Sequence, residues 1–229
     1  MSKVFPSAET AVADIPDGAT VMVGGFGLTG VPLTLIRALA DRGSRNLTLI
    51  ANSAGGRLPD IDLTLVVKNG QVKKVIGSYV AYSGFVTAFE ERYLRGEIEL
   101  ELVPQGTFAE RIRAGGAGIP AFYLPTGAGT KLAEGKESRI FSGKEHVLEH
   151  ALHADFALVK AHLADGMGNL TYHRAARNFN PLMATAADIT IAEVDEIVET
   201  GAIDPEAVVT PGIYVDRIVK GKRYEIRFD

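Results

Sequence analysis

Short runs of β-branched and aliphatic residues alternate along the chain with segments of helical length. Several runs are apolar at every position, which is typical of strands covered on both faces of a parallel sheet. The order strand, helix, strand therefore predicts a parallel sheet with helices on both faces. The predicted strands are Thr20–Gly25, Asn46–Asn52, Lys73–Tyr79, Glu97–Pro104, Ala121–Leu124, Asp155–His162, Ala187–Val194 and Gly212–Val219, and the predicted helices are Pro32–Arg42, Ser83–Arg95 and Thr107–Gly115.

Two segments depart from this pattern. Residues 97–102 alternate strictly between glutamate and Ile or Leu, which predicts a strand near a sheet edge, with its three glutamates on a solvated face. The segment Ser138–Leu152 contains a turn-like Ser-Gly-Lys at residues 142–144 and predicts a small antiparallel hairpin. We therefore expect an α/β, Rossmann-like fold with a mostly parallel sheet flanked by helices, in one domain over residues 1–229.

Composition narrows the range of functions. The chain of 229 residues has 24 basic and 28 acidic side chains, a net charge of −4, and no basic cluster, which argues against nucleic acid or an anionic membrane as partner. With no cysteine, disulfides and thiolate chemistry are excluded. No signal-peptide core or membrane-length apolar stretch is present, so we expect a cytoplasmic protein.

A glycine-dense loop follows the first predicted strand and precedes a helix opened by Pro32. Glycines allow positive φ and let backbone N–H groups approach an anion, while a helix N-terminus favours negative charge. A phosphate, a thioester oxygen or a carboxylate would fit here; a tight turn that binds nothing is the alternative. The candidate binding residues are Gly24, Gly25, Phe26, Gly27, Leu28, Thr29 and Gly30.

The same loop matches the dinucleotide-binding pattern GxGxxG from Gly25 to Gly30. In that fingerprint the third glycine lies inside the helix, whereas Pro32 places the helix start beyond Gly30. The fingerprint also needs an acidic residue at the end of the second strand, where this chain has Asn52 and Ser53. Both observations disfavour an NAD(P)-dependent oxidoreductase.

The run from Asp17 to Pro32 resembles the signature of the class I coenzyme A transferases, in their A (α) subunit, without a gap. Further matches follow in order along nearly the whole chain: residues 47–55, 103–119, 125–136, 155–180 and 209–219. The resemblance implies an enzyme that exchanges CoA between an acyl-CoA and a free carboxylic acid, with the CoA thioester as substrate and no permanently bound cofactor or metal.

In this family a glutamate carboxylate of the B (β) subunit, within a Ser-Glu-Asn-Gly motif, attacks the thioester and later carries CoA as a glutamyl thioester. That motif is absent from this chain. The resemblance therefore implies half of an enzyme, with no catalytic nucleophile of its own. Such a chain is expected to be inactive until a B subunit joins it, and the two together are expected to form an A2B2 heterotetramer.

The family usually assigns the loop Gly24–Gly30 to coenzyme A. It places substrate-orienting amides at Asn52 and Gln105, which follow the second and fourth predicted strands, and ligands in open α/β sheets bind beyond those carboxyl ends. Capping of helices or turns is the alternative role for both side chains. Ser53 and Thr29 differ from residues frequent in the family, but both are small and polar.

The histidines offer other interpretations. His146, Glu149 and His150 spell the zinc motif H-x-x-E-H, but that chemistry needs a helix and the segment is predicted as a strand. His162 could face the active cleft or be a hydrogen-bonded structural histidine. In the segment HRAARNFN, the resemblance suggests that Arg174 and Arg177, with two neighbouring asparagines, order the loop at the subunit junction; pairing with a substrate carboxylate is the alternative.

The sequence thus predicts the A subunit of a 3-oxoacid CoA-transferase, with succinyl-CoA as donor and acetoacetate or 3-oxoadipate as acceptor. The motifs do not separate the two acids. The competing hypotheses are a non-catalytic acyl-CoA-binding module and, less favoured, the oxidoreductase considered above.

Overall fold

Parallel strands build the main sheet of the protein, whose computed structural model describes residues 2–56, 60–222 and 224. In chain order the described strands are β1 (Thr20–Val23), β2 (Leu47–Ala51), β3 (Val72–Gly77), β4 (Glu99–Leu102), β5 (Ala121–Leu124), β6 (Ser138–Phe141), β7 (Lys144–His150), β8 (Ala154–Asp165), β9 (Ala187–Val198) and β10 (Arg217–Lys220). Seven of them lie in the order β10-β9-β8-β1-β2-β3-β4, and every neighbouring pair is parallel. The predicted α/β architecture is confirmed.

Helices cover both faces of this sheet. The described α-helices are α1 (Ala8–Ala11), α2 (Leu33–Arg42), α3 (Thr64–Lys68), α4 (Ala88–Leu94), α5 (Gln105–Gly116) and α6 (Asn180–Thr185), and 3-10 turns occupy Lys131–Ala133, Arg174–Arg177, Pro205–Ala207 and Gly212–Tyr214. No helix in the described part of the chain has the length and apolar character needed to cross a bilayer.

The strand pleat divides the core into two layers. Val21 and Val23 of β1 pack in one buried cluster with α1, α2 and α3, whereas Met22 belongs to a second cluster with Phe108 of α5 and residues of α6. Successive side chains of a strand point to opposite faces, so one apolar strand supplies both layers. This explains why β1 is apolar at three successive positions.

Helix boundaries differ from the predictions where capping residues set them. Pro32 is the N-cap of α2 and not its first helical residue, because Leu33 begins the helix. The helix predicted over Ser83–Arg95 is shorter in the structure, because α4 begins after its N-cap residue Thr87. The Thr87 hydroxyl accepts a hydrogen bond from Glu90 N, and the Glu90 carboxylate accepts one from Thr87 N. That capping box satisfies two end donors at once. Conversely, α5 starts two residues before the predicted Thr107.

The strand predicted over Gly212–Val219 is wrong in its first half. Residues 212–214 form a 3-10 turn after Pro211, Ile213 is 83% exposed, and β10 begins only at Arg217. The glycine at 212 is held by a hydrogen bond from its N–H to Asn169 Oδ1, which keeps this stretch off the strand ladder.

The edge strand and the hairpin occur largely as predicted. β4 is the edge of the main sheet, and Glu99 is exposed, but the expectation of a uniformly solvated glutamate face is wrong for Glu101. Its carboxylate pairs with Lys74 Nζ at 2.8 Å and Arg111 Nη1 at 2.7 Å. The hairpin β6–β7 is antiparallel, and β5 joins it to form a three-stranded sheet.

Candidate functional site

The carboxyl ends of β1, β2, β3 and β4 are aligned at one edge of the sheet. Val23 is in register with Ala51, and Gly77 with Leu102, so the residues that follow these strands lie side by side. Ligands of open α/β sheets bind at such edges. We call the segments Gly24–Gly30, Asn52–Ser53, Ser78–Tyr79 and the side chain of Gln105 the rim.

The glycine loop projects from the rim as a closed turn. Phe26 and Thr29 donate a backbone hydrogen bond to each other's carbonyl, each at 3.0 Å, and Gly25, Gly27 and Gly30 all have positive φ. Phe26 is 51% exposed. The tip of the loop, residues 26–29, is therefore an ordered turn accessible from solvent.

Most N–H groups of the loop already have partners, which limits the predicted anion cradle. Gly24 N donates to Leu158 O at 2.9 Å, and Gly25 N donates to Asn178 Oδ1 at 3.2 Å. With Phe26 and Thr29 bonded to each other, only the N–H groups of Gly27 and Leu28 among residues 24–29 lack a partner within the described chain. The N–H groups of Gly27 and Leu28 are therefore the donors at the tip of the loop that remain for a ligand.

The two predicted amides lie together. Asn52 is 2% exposed, and its Oδ1 accepts hydrogen bonds from Gln105 Nε2 at 2.8 Å and from Ser78 Oγ at 2.7 Å. Its main-chain oxygen also accepts from Tyr79 N at 2.8 Å. Because both side-chain donors occupy Oδ1, the Nδ2 group of Asn52, which has no partner among the described residues, is the donor left for a ligand.

Sequence reasoning missed Ser78 in this cluster. The signal was available, because Ser78 follows β3 directly and β3 pairs with β2, the strand that ends next to Asn52. Parallel strands in register place their next residues at the same edge. Ser78 thus belongs to the rim as much as the amides do.

A small cleft separates the glycine loop from the segment after β2. It is lined by Gly25, Val31, Asn52, Ser53 and Asp62, among others. Next to this cleft Tyr82 is hydrogen-bonded to Ser53, and its ring lies edge-on to that of Tyr79 with the ring centroids 5.0 Å apart. Burial raises the pKa of Tyr82, and its hydrogen bond with Ser53 only partly opposes that rise, so Tyr82 stays a neutral donor in the physiological range.

His162 has a carboxylate partner on the neighbouring strand. Its Nδ1 lies 3.0 Å from Asp195 Oδ2, and Lys160 Nζ bridges Asp195 at 2.8 Å and Glu193 at 3.3 Å. Burial alone would raise the pKa of Asp195, but hydrogen bonds from Lys160 and His162 outweigh burial and lower it. The geometry fits the hydrogen-bonded structural alternative for His162.

Glu193 binds the start of a helix. It is 2% exposed, and its Oε2 accepts from Thr34 N at 2.8 Å and Leu35 N at 3.2 Å at the N-terminus of α2. Burial raises its pKa against the opposing effect of Lys160. A carboxylate at this position satisfies end donors that Pro32 cannot cap.

The H-x-x-E-H motif lies on strand β7, as predicted, and not on a helix. The strand pleat puts His146 and His150 on one face and Glu149 on the other, where it pairs with Lys136 Nζ at 2.5 Å. The described residues contain no group of three or more histidines and carboxylates arranged to hold a metal ion. Arg174 and Arg177 lie exposed on one 3-10 turn that leads into Asn178.

The dinucleotide pattern also fails on geometry. The helix begins at Leu33, so Gly30 precedes it, and no acid follows β2, which ends at Ala51 before Asn52. The close helix–strand packing and the ribose-binding carboxylate of that fingerprint are therefore not formed by these residues.

Comparisons with known proteins agree along the whole chain. The sequence profile of the coenzyme A transferase family matches residues 5–221. The chain is 52% identical over 229 residues to the A subunit of a probable succinyl-CoA:3-ketoacid coenzyme A transferase from Bacillus subtilis, and the match covers 100% of this chain and 94% of that protein. It is 53% identical over 219 residues to the A subunit of the 3-oxoadipate CoA-transferase from Pseudomonas putida, covering 96% and 94% respectively.

A solved structure shows the same fold in a longer chain. An acyl-CoA transferase from E. coli O157:H7, in a thioester complex with CoA, superposes with a TM-score of 0.82 at 25% sequence identity. The match covers 96% of this chain and 47% of that one, so this chain spans about half of its length.

Proposed function

This chain belongs to the coenzyme A transferase family, and we propose that it is the A subunit of a 3-oxoacid CoA-transferase that moves CoA from succinyl-CoA to acetoacetate or 3-oxoadipate. The family match over residues 5–221 bears out the resemblance in the sequence motifs. The observation that carries the proposal is the near-complete similarity to two proteins named as A subunits, one for a 3-ketoacid and one for 3-oxoadipate.

We assign substrate binding to the rim. The tip of the glycine loop offers the N–H groups of Gly27 and Leu28 to the CoA thioester. Asn52 offers its Nδ2 to the substrate carboxylate or to the oxyanion that develops on the attacked carbonyl during acyl transfer. Aimed, neutral donors stabilise such an oxyanion without the reorganisation that water needs. Gln105 both orients Asn52 and has a second N–H to contribute. Support comes from the hydrogen bonds that fix Oδ1 of Asn52.

The nucleophile is proposed to belong to a partner B subunit. Its glutamate carboxylate attacks the thioester carbon, the acyl group passes to that carboxylate as a mixed anhydride, and CoA leaves as thiolate. The thiolate then attacks the glutamyl carbonyl and releases the free acid, leaving CoA on the glutamate; the 3-oxo acid reverses the sequence. The absence of the Ser-Glu-Asn-Gly motif from this chain supports this division.

The assembly proposed is an A2B2 heterotetramer in the cytoplasm, with the CoA thioester as substrate and no resident cofactor. The names of the relatives, which specify one subunit of an enzyme, support a two-subunit assembly. The length of the matched E. coli chain, about twice this one, is consistent with a second half of similar size. We further propose one domain over residues 1–229, supported by two core clusters on the two faces of a single sheet.

The test is a transferase assay of the purified chain, alone and co-purified with its B subunit, with succinyl-CoA and each acid in turn. Activity only in the mixture supports the proposal, and the acid with the higher kcat/KM identifies the substrate. Activity of the chain alone would contradict it by requiring a nucleophile here. Thioester binding without transfer in the mixture would favour a non-catalytic acyl-CoA-binding module.

A further inference from the structure

Two asparagines from a distant segment hold both ends of the glycine loop. Asn178 Oδ1 accepts from Gly25 N at 3.2 Å, and its Nδ2 donates to Thr29 O at 3.0 Å. Asn180 Nδ2 donates to Gly30 O at 2.9 Å, while its Oδ1 accepts from the Lys160 main-chain N–H at 2.8 Å. We call Asn178 and Asn180 the asparagine clamp.

The clamp occupies the space that side chains at two loop glycines would need. A Cβ at Gly24 would lie 1.9 Å from Asn180 Oδ1, and a Cβ at Gly30 would lie 2.7 Å from Asn178 Nδ2. At Gly27, by contrast, a Cβ would meet nothing within 4 Å. Gly24 and Gly30 are therefore required for contact with the asparagine clamp, and the tip that carries Gly27 is open to a ligand.

The backbone of Asn178 is strained. Its φ of 21° and ψ of −120° lie in a region that residues with a side chain rarely adopt. Such conformations are energetically costly and persist only where surrounding contacts fix them. Here the side chain makes those contacts, to the loop and also to its own segment through Phe179 N at 2.7 Å.

We propose that Asn178 and Asn180 are positioning residues, which hold the tip of the glycine loop in the conformation that binds the CoA thioester. The inference rests on the proposed function, because that function assigns the thioester to the loop. Neither asparagine needs to touch the substrate. The clamp fixes Gly25, Thr29 and Gly30, and so leaves the N–H groups of Gly27 and Leu28 as the donors presented outward.

The test uses Asn178→Gly in the assembled two-subunit enzyme. Glycine adopts the observed φ without strain, so this variant removes the side-chain contacts of Asn178, but not those of Asn180, without a backbone penalty. Hydrogen exchange of residues 24–31 is measured with and without succinyl-CoA, together with kcat/KM for succinyl-CoA and the thermal midpoint. Asn178→Asp, which keeps an acceptor for Gly25 N and loses the donor to Thr29 O, is the second variant.

In the wild type we expect succinyl-CoA to slow exchange in residues 24–31. In Asn178→Gly we expect faster exchange without ligand, little protection by succinyl-CoA, and a fall in kcat/KM of about tenfold or more, as for the loss of two hydrogen bonds to the loop. Asn178→Asp, which loses one of the two, should show the same changes to a smaller extent. The thermal midpoint of Asn178→Gly should fall too little for global unfolding to account for the lower kcat/KM. The matched control is Ser142→Gly, which relieves another positive φ, of 50°, in the distant hairpin turn and should leave loop exchange, its protection by succinyl-CoA and kcat/KM unchanged.

The proposal would be overturned if residues 24–31 of Asn178→Gly exchanged hydrogen at the same rate as in the wild type. It would also be overturned if succinyl-CoA did not slow exchange of these residues in the wild type. A lower thermal midpoint with unchanged kcat/KM would also overturn it, since the asparagine would then be structural only. If succinyl-CoA protects the loop through the clamp but no acid accepts CoA, the proposed function fails while this inference stands.

Discussion

Arg111 links the main sheet to the small antiparallel sheet, and Arg111→Met should destabilise the protein strongly. The residue is 8% exposed; its Nη1 bonds Glu101 Oε1 at 2.7 Å on β4, and its Nε bonds His150 O at 2.7 Å on β7. Each hydrogen bond to a charged group contributes about 1.5–3 kcal/mol. Lys74 still pairs with Glu101 in the variant, so we expect a net loss of about 3 kcal/mol in the free energy of unfolding.

That loss is large against a total stability of about 5–15 kcal/mol. For a chain of this size it corresponds to a fall of roughly 6–12 °C in the thermal midpoint. Urea and thermal unfolding of both proteins measure it. The matched control is Arg113→Met, two residues along the same helix, because Arg113 is exposed and its one ion pair among the described residues is with Glu110, so this substitution should give no measurable change. Equal effects of the two substitutions would refute the assignment of Arg111 as a structural link.

Three further results are expected. Thr107 Oγ1 is buried without a hydrogen-bond partner among the described residues, so Thr107→Val should raise the free energy of unfolding of the isolated chain by about 1 kcal/mol; a loss measured by urea unfolding would contradict this. Burial raises the pKa of Tyr172 to about 12 despite its hydrogen bond with Thr210, so the neutral side chain stabilises the fold fully below about pH 10 and this stabilisation is lost as pH rises toward 12. Between pH 8 and 11 the free energy of unfolding of the wild type should therefore fall by about 1.4 kcal/mol more than that of Tyr172→Phe, and an equal fall in both proteins would contradict this. Ser78→Ala removes one of two donors to Asn52 Oδ1 and should lower kcat/KM for the acceptor acid about tenfold. Ser78→Thr keeps the hydroxyl and should retain most activity, so equal losses in the two variants would reject an orienting role for Ser78.

The parallel sheet was predictable because its strands carry their own signal. β1, β2 and β8 are rich in aliphatic and β-branched residues, and each occurs within about three residues of its predicted bounds. The helices α1, α3 and α6 were missed, because at 4–6 residues they are too short to show a 3.6-residue period.

Long-range contacts explain the other differences. The alternation in β4 predicted a strand at the sheet edge correctly, but it could not show that Glu101 meets Lys74 and Arg111 from two other elements. Ile213 looked like part of a strand because its neighbours are apolar, yet the Pro-Gly pair before it forms a turn instead.

In the candidate site, too, the local sequence pattern predicted part of the arrangement, and long-range contacts determined the rest. Sheet topology was enough to bring Asn52 and Gln105 to one edge, and the structure adds their direct hydrogen bond. The asparagine clamp was not predictable as a contact to the loop, since Asn178 and Gly25 are 153 residues apart and no local pattern connects them. The glycines were recognised as special, but the physical reason for two of them lies in that distant segment.

The central claim is that this chain binds substrate while a partner subunit carries the covalent intermediate. The most direct measurement is the intact mass of both subunits of the co-purified enzyme after incubation with succinyl-CoA and no acceptor acid. We predict that the partner gains the mass of CoA less one water, that this chain keeps its mass, and that adding the acceptor acid removes the adduct. A CoA adduct on this chain, or none on either polypeptide while transfer proceeds, would contradict the account.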